Sequence, residues 1–532
     1  MRAGQTFADE LLAEQRDLSA VTRYAEWHKS QPHRIQPGFY RDLIPLTQPS
    51  PGHQYAFEVD LDKCSGCKSC VSACHSLNGL DAGEAWREVG LLVSDDWRHP
   101  FQQAVTTACH HCVEPACLNG CPVLAYDKDP FTGIVRHLDD QCIGCQYCVL
   151  KCPYDVPKYS TSRGIVRKCD MCSNRLAVGE APACVQSCPH EAIRISIVDA
   201  AADPKESFLR IGPDPSITSP TTRFISTKPL LASLRAVDRE QLRPEPPHLP
   251  LVVMLVLSQF SAGLFLFGAL GTGVLGSRFM TSNSVGQTMA GFLIGLAAVT
   301  VSIAHLGRPA GAWRSFLGLR RSWLSREIVG FGFYLLLSGL SAGCAWLSGK
   351  PSMLLSGASA AGGFLGVFCS GMVYHDTRRE FWKITWTAGK FFGSTIMLGA
   401  AGTLLAGVPV PVFRTLNVVL LIATVFKLAV EQQALRHLND DDFSPLHKTA
   451  LLLTERFGVE YRVRFALGIV GGILIPALLV VTSLAAQPSL ARINSLAAVS
   501  AALICLLAGE LIERRLFFIA VQPVKMPGTI CS

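Results

Sequence analysis

Between residues 64 and 188 the chain carries sixteen of its twenty cysteines, in four groups of four. Thiolates at short, regular spacing bind soft metals, close disulfides or hold iron–sulfur clusters. The first group (Cys64, Cys67, Cys70, Cys74) and the third (Cys142, Cys145, Cys148, Cys152) share the spacing C-x2-C-x2-C-x3-C. The second group (Cys109, Cys112, Cys117, Cys121) has four residues in its middle gap, and the fourth (Cys169, Cys172, Cys184, Cys188) has eleven. The triple at two-residue gaps suits a cubane. Three thiolates from one tight loop reach three corners, and the fourth, on the next helical turn, reaches a second cube, as in two-cluster ferredoxins. Structural zinc prefers cysteine pairs separated by longer spans, and only group four has that form. A secreted disulfide framework is disfavoured, because MRAGQTFADELLAEQRDLSA has neither a basic start with an apolar core nor a twin-arginine pair. Sixteen ligands then imply four [4Fe–4S] clusters.

Smaller features surround the cysteines. Proline follows the last cysteine in three groups (Pro122, Pro153, Pro189), and His75 takes that place in the first. His110 and His111 either tune a cluster through sulfur hydrogen bonds or pack the loop, and packing is the expected role. Arg167 and Lys168, just before Cys169, either raise a cluster's potential or lie in solvent.

The elements that must position these groups divide the 532 residues in two. Residues 1–248 are polar and cysteine-rich, with the head at 55–200. From 249 to 517 a succession of apolar runs follows, at 250–276, 284–304, 327–348, 352–373, 386–407, 411–434, 464–485 and 493–511. Each run approaches or exceeds the roughly 20 residues that span a bilayer. Eight spans are expected; the fifth is the weakest because Lys390 intrudes on it. A proline-rich connector (201–248) joins the halves, a tail (518–532) closes the chain, and an arm (1–54) precedes the head. The arm contains an amphipathic stretch with Leu11, Leu18 and Val21 at helical spacing, either packed on the head or docking a partner.

The formal charge of +7 does not point to nucleic acid, because the excess lies between apolar runs. Loops after the second, fourth and sixth runs and the tail carry Arg308, Arg314, Arg320, Arg321, Arg326, Arg378, Arg379, Lys383, Arg436, Lys448, Arg456, Arg462, Arg464, Arg514, Arg515 and Lys525, with Lys390 close by. The opposite loops carry Arg278, Lys350, Arg414 and Arg492. The asymmetry puts the head and both termini in the cytoplasm, on a bacterial inner membrane. His248, His305, His375, His437 and His447 lie at run ends or in a loop, so no haem is expected. Lys427 and Glu431 fall inside the sixth run at i, i+4 and can pair. Cys344, Cys369, Cys505 and Cys531 receive no role.

The segment HLGRPAGAWRSFLGLRRSWLSRE, His305 to Glu327, joins the second and third runs. It brings a histidine and a carboxylate to same-side ends of two antiparallel helices. That pair suits quinone chemistry, where one group positions an oxygen and both move protons. The competing reading is a helix dipole favouring Glu327 and a capping His305.

Residues 55–200, through CSGCKSCVSAC, CHHCVEPACLNGCP, CIGCQYCVLKCPY and CDMC…CVQSCP, resemble the four-cluster subunit of the DMSO reductase family of molybdenum enzymes. The resemblance implies that outer groups exchange their last cysteines, as do inner groups. Cluster one would take Cys64, Cys67, Cys70 and Cys188; cluster two Cys169, Cys172, Cys184 and Cys74. Cluster three would take Cys109, Cys112, Cys117 and Cys152; cluster four Cys142, Cys145, Cys148 and Cys121. Cys145 stands where some relatives carry tryptophan, so no three-iron centre is implied. Residues 249–517 resemble the family's eight-helix quinone-reactive anchor. The resemblance makes His305 and Glu327 quinone-binding residues, with Arg308 and Trp323 as further candidates. The implied protein is an α+β ferredoxin-like four-cluster head on an all-α polytopic membrane bundle. It would pass electrons between menaquinol and a molybdopterin-containing catalytic subunit. HLGRP and SWLSRE also resemble anchors of sulfite dehydrogenases, which keeps open the reverse direction, with sulfite or formate as reductant. Rivals from other classes are a zinc-binding regulatory membrane protein and a cluster-gated ion pump using Lys427 and Glu431.

Overall fold

The computed structural model of the protein describes residues 40–528 apart from 95–97, 99, 229–233, 275–283 and 486–490, with isolated positions 26 and 30. Apart from Glu26, the amphipathic stretch of the arm lies outside the described residues, as does Cys531. The head opens with strand β1 (His53–Asp60), helix α1 (Ser69–Asn78) and strands β2 (Glu88–Ser94) and β3 (Gln102–Thr107). Helix α2 (Ala116–Gly120), hairpin β4 (Tyr126–Lys128) and β5 (Val135–His137), helix α3 (Tyr147–Lys151) and hairpin β6 (Lys158–Ser160) and β7 (Ile165–Arg167) follow. Single-turn helices α4 (Ser173–Leu176) and α5 (Ala183–Gln186) lead to β8 (Ile193–Asp199), β9 (Arg223–Ile225) and β10 (Leu234–Ala236).

β1 is the centre of one sheet, antiparallel to β8 with Phe57 opposite Ile195, and parallel to β9. Tyr55, Ala56, Phe57 and Val59 are all buried, so this central strand has no solvent face. A second sheet has the order β10-β2-β3. Apart from α1, the head's helices have only four or five residues, too short to form alone. Tertiary contacts hold them, and α1 packs on α5 as α2 packs on α3.

The membrane half contains α6 (Leu249–Val274), α7 (Ser284–Ile303), α8 (Trp323–Ser348), α9 (Met353–His375), α10 (Ile384–Leu404) and α11 (Val410–Gln432). After the short α12 (Pro445–Leu451), α13 (Gly458–Ile469) continues through a π-turn at Val470–Leu474 into α14 (Ile475–Ala485), and α15 (Ala491–Ile519) ends the bundle. Seven helices among the described residues are long and apolar enough to cross a membrane. The exception is α10, the fifth expected run. It is helical, but its Thr, Ser, Gly and Lys residues keep it outside that set. The cause is its position. α6, α9, α11 and α15 pack around it, so it need not be apolar all round. Its contact with α6 is backbone-close: a Cβ on Gly263 would stand 2.1 Å from the Thr395 carbonyl.

Lys390, Arg464 and Arg514 depart from the sequence expectation. The charge asymmetry treats them as exposed cations flanking the spans, yet all three are buried in one ionic network. Lys427 of α11 contacts Glu431 at 2.6 Å and Glu510 of α15 at 2.9 Å. Arg464 of α13 reaches Glu431 and Glu510 at 2.8 Å each. Lys390 stands 3.7 Å from Glu513, and Arg514 pairs with Glu513. Because these charges satisfy one another inside the bundle, α15 runs to Ile519, beyond the expected end of its apolar run at 511.

Candidate electron-transfer site

Four small cavities in the head are each lined by four cysteines. Cys64, Cys67, Cys70 and Cys188 line the first; Cys169, Cys172, Cys184 and Cys74 the second. Cys109, Cys112, Cys117 and Cys152 line the third; Cys142, Cys145, Cys148 and Cys121 the fourth. The exchange of last cysteines has a local cause. In every group the third and fourth cysteines are four residues apart across a helical turn: Cys70 and Cys74 in α1, Cys117 and Cys121 at α2, Cys148 and Cys152 at α3, Cys184 and Cys188 at α5. Four helical residues advance the backbone about 6 Å, enough to carry the two sulfurs into neighbouring cavities.

The loops repeat in backbone as well as in spacing. The residue before the second cysteine has positive φ in each group: Gly66 at 75°, His111 at 40°, Gly144 at 69° and Met171 at 59°. After each Cys-Pro, Leu124, Asp155 and Glu191 do the same. This second left-handed turn aims the next amide back at sulfur: Ala125 N–H donates to Cys121 Sγ at 3.2 Å, and Ala192 N–H to Cys188 Sγ at 3.3 Å. Cys74 lacks the proline. It stays inside α1 and receives the Asn78 side-chain amide at 3.6 Å instead. Asn78 has no motif signal beyond its i+4 place.

The donor sets fit iron–sulfur clusters. Among the described residues no three His, Cys, Asp or Glu side chains converge as a single-ion site, whereas sixteen cysteines ring four cavities. Burial pushes the Cys74 and Cys117 thiols up to about 12, so these sulfurs ionise readily only beside a compensating metal. Among the described residues two cavities also present buried polar atoms with no hydrogen-bond partner, Arg87 Nη2 at the second and His110 Nε2 at the third, while Tyr126 lines the fourth beside Cys148. Inorganic sulfide would accept from such donors. His110 does pack, edge-on to Tyr154 at 4.5 Å, but it also lines the third cavity. His111 accepts the Val135 amide at 3.1 Å. Arg167 and Lys168 are both buried rather than solvated. Arg167 donates to the Asn78 carbonyl, while Lys168 reaches the Cys169 carbonyl at 2.7 Å and Cys109 Sγ at 3.6 Å. Lys168 thus joins the second cavity to the third.

The cavities therefore run in the order one, two, three, four. Among the sixteen head cysteines only Cys67, at the first cavity, is exposed. The fourth lies against the membrane half. Arg308 N–H donates to the Ile143 carbonyl at 3.0 Å and Gly318 N–H to the Pro122 carbonyl at 2.8 Å. Ser322 Oγ donates to the Gly120 carbonyl at 2.7 Å. From the head, Tyr147 Oη donates to the Val373 carbonyl at 3.0 Å, and Lys151 pairs with Asp376 at 2.8 Å. The seat requires glycine: a Cβ on Gly307 would meet the Gly164 carbonyl at 2.1 Å. Gly307→Val is expected to weaken the seat by about 1–3 kcal/mol. The head should become more susceptible to proteolysis while its iron content stays unchanged.

The His305–Glu327 loop thus lies under the fourth cavity. His305 Nδ1–H donates to the Ser302 carbonyl, which leaves Nε2 as the acceptor. Burial holds its pKa below the usual histidine range, so the ring is neutral near pH 7. Glu327 is the fifth residue of α8, a turn beyond its Ser322 cap, and is buried. Ser370 of α9 donates a hydrogen bond to its carboxylate. Trp323, one turn before, sets its ring edge-on to Phe368 of α9 at 6.2 Å. Trp323 and Glu327 thus share the α8 face toward α9. His305 instead neighbours His248, at the start of α6, and among the described residues no hydrogen bond or ion pair joins it to Glu327. Arg308 is exposed and holds the Asp139 carbonyl at 2.9 Å, fastening the head. Sequence reasoning missed Tyr147, beside Cys148. Burial and the Asp376 and Glu327 carboxylates push its phenol well up, and its hydroxyl donates to the Val373 carbonyl and to Asp376 at 3.2 Å.

A family described as DMSO reductase anchor subunit matches residues 245–519, over half of the sequence. The protein is a member of that family. A second family, the 4Fe-4S dicluster domain, matches residues 101–197 of this fused anchor. The B-type subunit of anaerobic dimethyl sulfoxide reductase from Escherichia coli K12 is 34% identical over 170 residues, which cover 30% of this sequence and 82% of the relative. The corresponding subunit of Haemophilus influenzae is 33% identical over 178 residues, 31% of this sequence and 86% of the relative. A hydrogenase-2 operon protein of Escherichia coli O157:H7 is 34% identical over 161 residues, 25% of this sequence and 49% of the relative. The chain is thus a membrane anchor of that family fused to an iron–sulfur electron-transfer head, two subunit types in one polypeptide.

Proposed function

We propose that this fused subunit takes electrons from menaquinol in the membrane and delivers them to a separate molybdopterin-containing catalytic subunit of the DMSO reductase type. The observation that carries the reading is the seating of the fourth cysteine cavity on the His305–Glu327 loop, with Cys67 exposed at the other end. Four [4Fe–4S] clusters, when bound, supply the one-electron carriers between those ends. The sixteen cysteines hold them in the four sets that line the cavities. Quinol oxidation releases two protons with its two electrons. His305 Nε2 accepts one hydroxyl proton or orients that hydroxyl. Glu327, oriented by Ser370, accepts a proton, and Trp323 forms an apolar wall. Arg308 acts by fastening the loop to the head.

The proposed units are 55–200 for the head, 201–248 for the connector and 249–517 for an eight-helix anchor, with α10 as the eighth span. The cations between spans support a cytoplasmic head and cytoplasmic termini. The catalytic partner would meet the head near Cys67. The anchor match and the reductase B-type relatives favour the reductive direction over a sulfite or formate dehydrogenase, and favour clusters over a zinc-binding regulator.

The test is an EPR spectrum of anaerobic membranes before and after a menaquinol analogue, with dithionite reporting total reducible iron. Reduction by the quinol is expected; reduction by dithionite alone would remove the quinol-oxidising role. Purified protein should carry about sixteen irons and be brown. Zinc at about one per four cysteines would overturn the cluster reading. Cys148→Ser is expected to remove one cube and leave about twelve irons. Loss of all iron would mean that the four sites assemble as one cooperative unit.

A further inference from the structure

Where the connector, the α11–α13 loop and the tail meet lies an open cavity of about 500 Å³, separate from the four thiol cavities and from the His305–Glu327 loop. Its walls include Arg239 and Arg243 of the connector, Lys448 of α12 and Lys525 of the tail. Arg239 pairs with Asp442, and Lys525 with Glu245 at 3.0 Å. Among the described residues Lys448 has no carboxylate within ion-pair distance, and its side chain donates no hydrogen bond. Burial, together with Arg239, Arg243 and Lys525, holds its pKa below the usual lysine range, and Asp238 opposes them. Asp238, also in the wall, offsets part of the cost of holding a half-buried ammonium beside Arg239, Arg243 and Lys525, two of which are already paired, and a bound anion would offset the remainder.

The position of the cavity identifies the anion's class. Its connector wall reaches Glu245, just before α6 begins at Leu249, and its tail wall begins at Gln522, just after α15 ends at Ile519. The third wall, α12, precedes α13. Arg210, Ile211 and β10 of the head supply the facing wall, so the cavity lies between the head and the end of the bundle on the head's side, next to where the helices leave the membrane. Anionic phospholipid phosphates gather at that level, and basic pockets beside helix ends bind them. The volume lies within the range of small-molecule sites.

We propose that this cavity binds a phosphate group, supplied by the headgroup of an anionic phospholipid, between Lys448, Arg243 and Arg239. The bound lipid would tie the connector and tail to the bundle where the head is attached.

The test is native mass spectrometry of the full-length protein in detergent, titrated with phosphatidylglycerol, cardiolipin or phosphatidylcholine, with inorganic phosphate titrated separately. Anionic lipid should be retained over phosphatidylcholine by about tenfold or more. The double substitution Lys448→Gln with Arg243→Gln should abolish the preference, and Lys448→Arg should keep it. Lys350→Gln, on an exposed residue at the other end of the bundle, should leave it unchanged. Iron content and thermal midpoint report whether each variant folds. A preference that survives the double substitution, or no preference in the unsubstituted protein together with no response to phosphate, would overturn the site. Binding of inorganic phosphate that Lys448→Gln abolishes, without lipid preference, would keep the phosphate site and exclude lipid as its source.

Discussion

Glu327→Gln lowers quinol-dependent reduction of the head by about 100-fold, the scale of a lost proton acceptor, and leaves dithionite reduction unchanged. Glutamine has nearly the same shape and still accepts the Ser370 hydroxyl, so packing between α8 and α9 is preserved. It cannot take the proton that accompanies quinol oxidation. A rapid-mixing experiment with a menaquinol analogue, read by the EPR signal of the reduced head, separates the two effects. Ser370→Ala should slow the reaction less, because it frees the carboxylate's orientation without removing the base. An unchanged quinol rate in Glu327→Gln would take the residue out of the site.

Glu510→Ala is expected to destabilise the membrane bundle by about 3–5 kcal/mol, as measured for other broken buried ion pairs. Glu510 is fully buried, accepts a hydrogen bond from Ser394, and lies 2.9 Å from Lys427 and 2.8 Å from Arg464. Without it, Glu431 and Glu513 would have to balance Lys390, Lys427, Arg464 and Arg514. Unfolding in mixed detergent micelles would report the change. The network joins α10, α11, α13 and α15, so a lost midpoint should be shared by all four helices. Lys427→Met should lower the midpoint too and leave quinol-dependent reduction intact in the protein that remains folded. If both variants kept the native midpoint but ended ion movement across vesicles, the network would be a transport element, and the ion-pump rival would return.

The cysteine spacing made much of the head legible. C-x2-C-x2-C-x3-C needs a tight loop and then a helical turn, and the positive φ at Gly66 and Gly144 with the turns of α1 and α3 are that geometry. Groups two and four were harder to read, because His111 and Met171 adopt the left-handed conformation without a glycine to announce it. The membrane half was legible through apolar length. The weakest run, 386–407, is a helix, α10, but a less apolar one than the other seven, because its neighbours rather than lipid surround it.

Other features depended on contacts distant in sequence. Lys168 and Arg87 are ordinary cations in the sequence, but folding sets them among thiols from three groups. Tyr147 drew no attention in the sequence, and only docking of the head gave it the Val373 carbonyl and Asp376 as partners. His305 and Glu327 both emerged as candidates from their place at helix ends, but only the fold gave Glu327 its Ser370 partner and His305 its Ser302 carbonyl. Arg464 and Arg514 were counted with the loop and tail charges, and Lys390 as an intrusion on its span, because a tally along the sequence does not see which carboxylate stands opposite a cation.

The sequence by itself determined the cofactor class, the division into head and anchor, and the candidate quinol loop, because each rests on spacing or composition within one segment. Only the tertiary structure decided the order of the cavities, the seat of the fourth on the loop, and the burial of seven charges inside the bundle. Those depend on which residues meet across α6 to α15 and across the head–anchor contact, and a buried charge is tolerable only where the fold brings its partner within a few ångströms.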